Sequence, residues 1–381
     1  MAAVGGTEAR RLTEGDFDLF SLRWRPGGSE LLLTGNRGDL QQRLAYRVPV
    51  AGGPMVPITS RPGTYSIDEV SSDGARAVVH FSGPGTLPEF LLVDLPSQTQ
   101  PVLVAATRAP DLAPGDLANV EAVAFRSNDG SQVRAVLITP KGMRRDVRHP
   151  ALVNMYGGWG QRAALQGASA HHNYLVKNGY LVLVVDPRGS EGYGETFAKG
   201  LYRDAGGKQS EDLAAAAAYL RTQPFVDPNG VAIHGHSYSG WLALWTMIHS
   251  PDAFNAGIAG AQSGWSVNDA TRSYGTYSVI RWGLPHEADN QLSARNPALQ
   301  IARLKAPVFI VHGTADINVP ISTSERVVKA LIAARKEFDY MVYPGEPHGW
   351  SRFDTNVDFY KRTVSFLNRH LRAHPGPAPA Q

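Results

Sequence analysis

Apolar residues fall into two textures along the chain. From residue 16 to about residue 107 they occur in short runs with strand-like alternation, separated by Gly/Pro turns. The stretch "WRPGGSELLLTGNRG" from Trp24 is echoed by "VSSDGARAVVHFSGPG" from Val70, which aligns Gly28 with Gly74 at a period of 46 residues. A second apolar run follows each copy, "LAYRVPVAGG" from Leu44 and "EFLLVDLPS" from Glu89. A period in the forties with about four short strands predicts propeller blades. Only two copies fit, and two blades cannot close a ring. A small antiparallel sheet with accidental similarity is the plainer alternative.

The stretch "DLAPGDLAN" from Asp111 reads as a linker, and beyond it the texture changes. "VEAVAFRS" and "QVRAVLITP" predict a hairpin around "NDG". Continuous apolar runs then end at Tyr156, Asp186, His234, Ala261, Gly313 and Tyr343. Between them lie helical patterns such as "SEDLAAAAAYLRTQ", "GWLALWTMIHS", "STSERVVKALIAARKE" and "VDFYKRTVSFLNRHLRAH". Apolar strands alternating with helices predict an α/β fold, a mostly parallel sheet covered on both faces. The expected organisation is a β-rich, partial propeller-like domain over 1–115 and an α/β domain over 116–374. The last seven residues, 375–381, form a Pro/Ala-rich tail expected to be disordered.

Charge and composition narrow the function classes. The net charge is +3, so no broad nucleic-acid footprint is implied, and the basic run "KGMRRDVRH" from Lys141 reads as a solvated loop. The chain has no cysteine, hence no disulfide, thiolate nucleophile or Cys-ligated zinc. The first residues lack the apolar stretch of a signal peptide, and no run is long enough to span a membrane. A cytoplasmic protein is therefore expected, without cofactor, metal, membrane or nucleic-acid partner.

The chemistry concentrates at "HGHSYSG", His234 to Gly240, between a strand and a helix pattern. A nucleophile elbow needs a sharp turn with small neighbours, lifting a serine hydroxyl to a helix N-terminus. Gly235-His236-Ser237-Tyr238-Ser239 supplies this, with Ser239 in the place of the usual second glycine and Gly240 next. A serine hydroxyl needs a base, and the base an orienting carboxylate. Asp316 in "HGTAD" and His348 in "PGEPHGW" follow later strands in the order Ser, Asp, His. The oxyanion needs two donors. The Tyr238 N–H is the first candidate and the Tyr156 hydroxyl, in "NMYGG", the second; the alternative for Tyr156 is a ring that covers the sheet end. His234, His236, His171, His172 and His312 read as packing or helix-start residues rather than metal ligands.

These residues resemble the prolyl oligopeptidase family of serine peptidases, nearest the dipeptidyl peptidase IV branch. The resemblance runs from about Asp16 to Leu371. Its sharpest pieces are "NMYGGWGQ", "VVDPRGSEGYGETF", "EDLAAAAAYLRTQPFVDPNGVAIHGHSYSGW", "RWGLP", "HGTADINVP" and "PHGW". It implies an α/β-hydrolase domain capped by a β-propeller. It implies Ser237 as nucleophile, Asp316 as orienter, His348 as base and Tyr156 as oxyanion donor. It further implies Asn318 as a contact for a substrate carbonyl, and Tyr238, Trp265 and Val319 as pocket walls. Where the branch carries a Tyr-Asp pair this chain has Asn268-Asp269, so Asn268 stands at the proline pocket with Tyr274 or Tyr277 as possible substitutes. The paired glutamates that grip a substrate amine in that branch have no counterpart; Glu89 and Glu121 stand isolated.

The reading is a serine peptidase acting on short peptides through an acyl-enzyme. An esterase or amidase on small acyl substrates is the alternative, and a non-catalytic binding protein on this scaffold a remote one. The open edges of a two-blade domain predict self-association, as a homodimer.

Overall fold

The structure, a computed structural model, describes residues 9–95, 101–107, 114–158, 160–162, 167–262, 279, 281–283, 286–287 and 295–371. The tail from 372 lies outside them. The chain forms two compact units. One is Met1–Ala122 with Ala164–Ser169 and Gly192–Glu195; the other is Val123–Ala163, Ala170–Glu191 and Thr196–Gln381.

The first unit contains two four-stranded antiparallel meanders. One has β1 (Leu19–Trp24), β2 (Glu30–Gly35), β3 (Leu44–Pro49) and β4 (Val56–Pro57); the other has β5 (Thr64–Val70), β6 (Arg76–Ser82), β7 (Glu89–Asp94) and β8 (Val102–Ala106). The 46-residue period is a repeat of hydrogen bonds. Arg25 N–H donates to Glu30 C=O at 3.0 Å, and Ser71 N–H to Arg76 C=O at 2.9 Å. Gly28 N–H donates to Arg25 C=O and Gly74 N–H to Ser71 C=O, both glycines at positive φ (73° and 69°) where a side chain is strained. Equivalent bonds at equivalent offsets make the similarity structural rather than accidental: each meander is a propeller-type blade.

Alternation along the strands decides the faces. On β6, Ala77, Val79 and Phe81 are buried while their neighbours are not. They share one core with Tyr65 and Ile67 of the same blade and with Leu32, Ala45 and Ile58 of the first. The opposite face of the first blade carries Leu33, Tyr46, Val48 and Met55, with Leu12 and Phe17 packed on it. Apolar side chains on the outermost strands stay in solvent: Leu22 and Trp24 on β1, and Val102, Leu103 and Val104 on β8.

The second architecture is an eight-stranded sheet, in the order β16-β15-β14-β13-β11-β12-β10-β9. Its strands are β9 (Asn119–Arg126), β10 (Gln132–Thr139), β11 (His149–Asn154), β12 (Leu181–Asp186), β13 (Val226–His236), β14 (Ala256–Gly260), β15 (Val308–Gly313) and β16 (Phe338–Tyr343). From β12 through β16 every pairing is parallel, and β10 joins β12 antiparallel. Among the described residues the helices that frame the sheet are α1 (Ala170–Lys177), the single turn α2 (Glu195–Ala198), α3 (Lys208–Thr222), α4 (Tyr238–His249), the single turn α5 (Pro297–Gln300), α6 (Ser322–Ala333) and α7 (Phe353–Leu371). β12, β14 and β15 are buried along their whole length, which is why they read as unbroken apolar runs.

Together the blades and this sheet are an α/β-hydrolase fold preceded by a small, partial propeller. Strand order reverses at β11, which has β12 on one side and β13 on the other. Open α/β sheets bind ligands beyond the carboxyl ends of strands at such a reversal. Tyr156 follows β11 and Ser237 follows β13, so both candidates lie at that point. Among the described residues no helix is long and apolar enough to cross a membrane.

Candidate active site

Ser237 occupies the turn between β13 and α4 with φ 64° and ψ −124°. Three glycines make that turn possible by close approach. A Cβ on Gly235 would lie 2.0 Å from the Ser239 carbonyl oxygen; on Gly240, 2.5 Å from the Gly260 oxygen; on Gly260, 2.7 Å from His236 Nδ1. Ser237 N–H donates to Gly260 C=O at 2.8 Å, tying the turn to β14. Ser239 has a role that glycine could not fill. Its hydroxyl accepts from His236 N–H at 2.9 Å and donates to His236 C=O at 2.8 Å. The serine thus closes the turn on itself, and the close approach to β14 falls to Gly240.

The three residues expected to act together do meet. His348 Nε2 lies 2.7 Å from Ser237 Oγ, and His348 Nδ1 lies 2.7 Å from Asp316 Oδ2. A carboxylate only accepts, so Nδ1 carries the hydrogen and Nε2 accepts from the serine. Asp316 Oδ1 accepts from the N–H groups of Asn318 (2.9 Å) and Val319 (2.8 Å). Burial pushes the Asp316 carboxyl up, but hydrogen bonds with His312, His348 and Val319 N–H outweigh it and hold the group well below the usual carboxylate range. Asn318 is exposed and Val319 buried.

Buried polar side chains brace the two loops: His236 and His312, which the sequence offered as packing residues, and Glu346, which sequence reasoning missed. His236 Nε2–H donates to His348 C=O at 2.5 Å, and its ring stands edge-on to Trp350. His312 Nε2 lies 2.9 Å from Val319 C=O and 3.2 Å from Asp316 Oδ2, and its Nδ1 accepts from Ser324 O–H at 2.7 Å. Glu346 is fully buried and accepts from Ser351 N–H (2.7 Å), Ser351 O–H (2.9 Å), Arg352 Nε (2.6 Å) and Thr355 O–H (2.7 Å). Burial raises its carboxyl, and these bonds bring it down to about 2. A charged residue inside "PGEPHGW" was the only sequence signal for it.

Gly157, the residue after Tyr156, lies against the elbow: a Cβ there would be 3.4 Å from His236 C=O and 3.9 Å from Ser237 Cβ. Burial first, and then the Asp186 carboxylate, push the Tyr156 phenol well above its ordinary value. Its hydroxyl stays protonated and lies 2.5 Å from Ser190 Oγ. Tyr238 begins α4; its ring is 2% exposed and its hydroxyl donates to Gln209 Oε1 at 2.5 Å. Trp265, Asn268 and Tyr274 lie outside the described residues.

The other histidines have protein partners. Asn154 Nδ2 donates to His234 C=O at 3.1 Å and lies 3.0 Å from His234 Nδ1, while Asn154 Oδ1 meets His172 Nε2 at 3.1 Å. His171 stacks on Tyr360 in the first turn of α1. Among the described residues no group of three or more His, Asp or Glu side chains could hold a metal ion. Glu89, one of the two glutamates weighed from the sequence as an amine anchor, is paired with Arg61.

Residues 167–374 match the prolyl oligopeptidase family. Dipeptidyl aminopeptidase BIII of Pseudoxanthomonas mexicana is 27% identical over 331 residues, 82% of this chain and 48% of that protein. The uncharacterized peptidase YuxL of Bacillus subtilis is 29% identical over 261 residues, 66% of this chain and 39% of that protein. A puromycin-hydrolyzing peptidase of Mycobacterium tuberculosis has the same fold, with a TM-score of 0.87 at 22% identity over 98% of this chain and 58% of that one. Dipeptidyl peptidase 4 of Porphyromonas gingivalis gives a TM-score of 0.85 at 22% identity, over 97% of this chain and 52% of that one. The chain thus spans half or less of the length of these two curated relatives.

The buried imidazoles predict acid sensitivity. Burial pushes His234 down to about 3; burial and then the neighbouring His348 push His236 down to about 4. In the unfolded chain both bind protons near pH 6.5, so between there and pH 4 the unfolded state holds more protons. Their stabilisation is complete above that range and is lost as pH falls through it, by on the order of 1 kcal/mol per histidine per pH unit. Thermal denaturation at pH 7.5 and 5.5 should show a lower midpoint at 5.5, and a smaller drop in His234→Gln. Equal midpoints in the parent would mean that neither histidine is held neutral by the fold.

Proposed function

The chain belongs to the prolyl oligopeptidase family, and from that premise we propose that it is a serine peptidase cleaving short peptides through an acyl-enzyme. The observation that carries the reading is the unbroken line Ser237 Oγ, His348 Nε2, His348 Nδ1, Asp316 Oδ2, with 2.7 Å at both contacts. Ser237 attacks the scissile carbonyl and its proton passes to His348 Nε2. Asp316 holds the imidazole in the reactive tautomer and stabilises the imidazolium that forms. The proton then goes to the leaving amine, and a water repeats the sequence to release the acid. Tyr238 N–H and the Tyr156 hydroxyl hold the oxyanion. Asn318 takes a substrate carbonyl; Val319, with Trp265, Asn268 and Tyr274, forms the pocket for the residue before the cut.

One observation favours a second reading, an esterase or amidase on small acyl substrates. A peptidase that counts from a free amine needs carboxylates to receive it, and the Glu89 carboxylate is already engaged by Arg61. Dimer formation is part of the proposal too. Leu22, Trp24, Val102 and Val104 on the outermost strands are each more than half exposed, and unpaired strand edges invite pairing with another chain.

Ser237→Ala should abolish labelling by a fluorophosphonate and lower turnover by several orders of magnitude with the fold intact. Labelling that persists at another serine would reject the nucleophile. Tyr156→Phe should lower kcat by about 10²–10³-fold with little change in KM; a change in KM alone would make Tyr156 a pocket wall. Dipeptide anilides with free and blocked amines separate the readings. Blocking should change kcat/KM by less than about tenfold, equivalent to about 1.4 kcal/mol; a hundredfold loss would reveal an amine anchor. Light scattering at micromolar concentration should give the mass of a dimer, and a monodisperse monomer would end that part of the proposal.

A further inference from the structure

Ser190 takes no part in the mechanism above, yet its buried hydroxyl faces the Tyr156 hydroxyl at 2.5 Å. A serine hydroxyl has one hydrogen to donate and two lone pairs. The Ser190 hydrogen lies on the Pro187 carbonyl, 2.7 Å away. The hydrogen between the two hydroxyls is therefore that of Tyr156. In the resting enzyme the donor intended for the oxyanion points at Ser190 instead.

We propose that Ser190 is a positioning residue whose O–H turns from the Pro187 carbonyl to Tyr156 Oη as the tetrahedral intermediate forms, releasing the Tyr156 hydrogen to the oxyanion. This rests on Tyr156 being the oxyanion donor. Before the turn, Tyr156 donates to Ser190 and Ser190 to Pro187. After it, Ser190 donates to Tyr156 and Tyr156 to the oxyanion. Two hydrogen bonds exist in each state, both protons stay on their own oxygens, and only O–H torsions change. Pro187 C=O is not stranded, because Ser190 N–H also donates to it, at 3.0 Å. A phenol that accepts a hydrogen bond becomes a stronger donor. The added strength appears only when negative charge develops, which is where it raises turnover.

The turn that carries Ser190 is built to hold it still. Gly189 N–H donates to Phe197 C=O at 2.8 Å, and a Cβ on Gly189 would lie 2.4 Å from Leu201 Cδ2. Arg188 is buried; its N–H donates to Asp212 Oδ2 at 2.8 Å and its Nε to both Asp212 oxygens at 3.0 Å. Its guanidinium also reaches Ser127 Oγ and Lys208 C=O. With the backbone anchored from both sides, the freedom left to Ser190 is the direction of its O–H.

The test is a double-mutant cycle with p-nitrophenyl butyrate as substrate and an arylboronic acid as the tetrahedral probe. Ser190→Ala should lower kcat about tenfold at unchanged KM and weaken the boronic acid by a similar factor, the scale of one reinforcing hydrogen bond. Ser190→Thr should recover most of both. In the Tyr156→Phe background Ser190→Ala should cost nothing further. An equal loss in that background would make Ser190 a purely structural residue and overturn the proposal, while leaving the role of Tyr156 intact. An unchanged kcat in Ser190→Ala would overturn it as well. If Tyr156→Phe itself leaves kcat and boronic acid affinity unchanged, the oxyanion reading fails and takes the Ser190 proposal with it. Should Ser190→Ala not fold, the near-isosteric Ser190→Cys, with its weak donor, carries the same comparison.

Discussion

A non-glycine residue at φ 64° and ψ −124° sits where an L side chain costs of order 1–3 kcal/mol, and Ser237 is held there by its surroundings. The hold is the close approach of two parallel strands and a helix. β13 and β14 run in register up to His236 and Gly260, and the next residue turns its N–H onto the Gly260 carbonyl. Only glycine fits at 235, 240 and 260, where a Cβ would overlap backbone or ring atoms. The helix that starts there is buried nearly all round, with Trp241, Leu242, Leu244 and Ile248 among the most enclosed side chains of the core. Burying that helix offsets the strain of the turn, and the turn in turn presents one hydroxyl beyond the sheet.

The partners of that hydroxyl stand on two loops, and loops alone would not hold 2.7 Å geometry. The loops after β15 and β16 are joined by backbone: Ala315 N–H donates to Glu346 C=O at 2.9 Å, and a Cβ on Gly313 would lie 2.3 Å from the same oxygen. The Glu346 side chain then ties its own loop to the start of α7 through Thr355. His236 ties it to the elbow through the His348 carbonyl. Each brace is a buried polar group with its partners supplied, the condition under which such networks rigidify rather than destabilise. Neutral His236 suits its place. A second charged imidazole beside His348 would oppose the imidazolium of the proposed reaction.

The blades follow a different logic, that of repetition. Equivalent hydrogen bonds recur at Arg25 and Ser71, at Gly28 and Gly74, and at the ends of β3 and β7, where Val50 N–H donates to Ser29 C=O and Leu95 N–H to Ala75 C=O. The two sheets bury one face against each other through Leu32, Val79 and Phe81. Repetition supplies neighbours to inner faces and leaves outer strands with apolar side chains in water, which is the position of β1 and β8.

Periodicity and turn chemistry are local, so the sequence by itself determined the blade repeat, the alternation of strands and helices, and the ends of β12, β15 and β16 at Asp186, Gly313 and Tyr343. It also offered the candidate chemistry, because a serine in a glycine-lined strand-to-helix turn is a local pattern, and the Asp and His that follow later strands come after it in chain order. What Ser239 does in place of glycine was not legible, since its two bonds to His236 depend on the fold of the turn. Nor were Ser190 opposite Tyr156, Glu346 under the His348 loop, or Arg61 closing on Glu89. Those pairs join residues on different strands and loops, and no spacing encodes them. Only the tertiary structure decided them: Tyr156 and Ser190, for instance, follow β11 and β12, which must first pair in register before the residues just beyond their ends can meet.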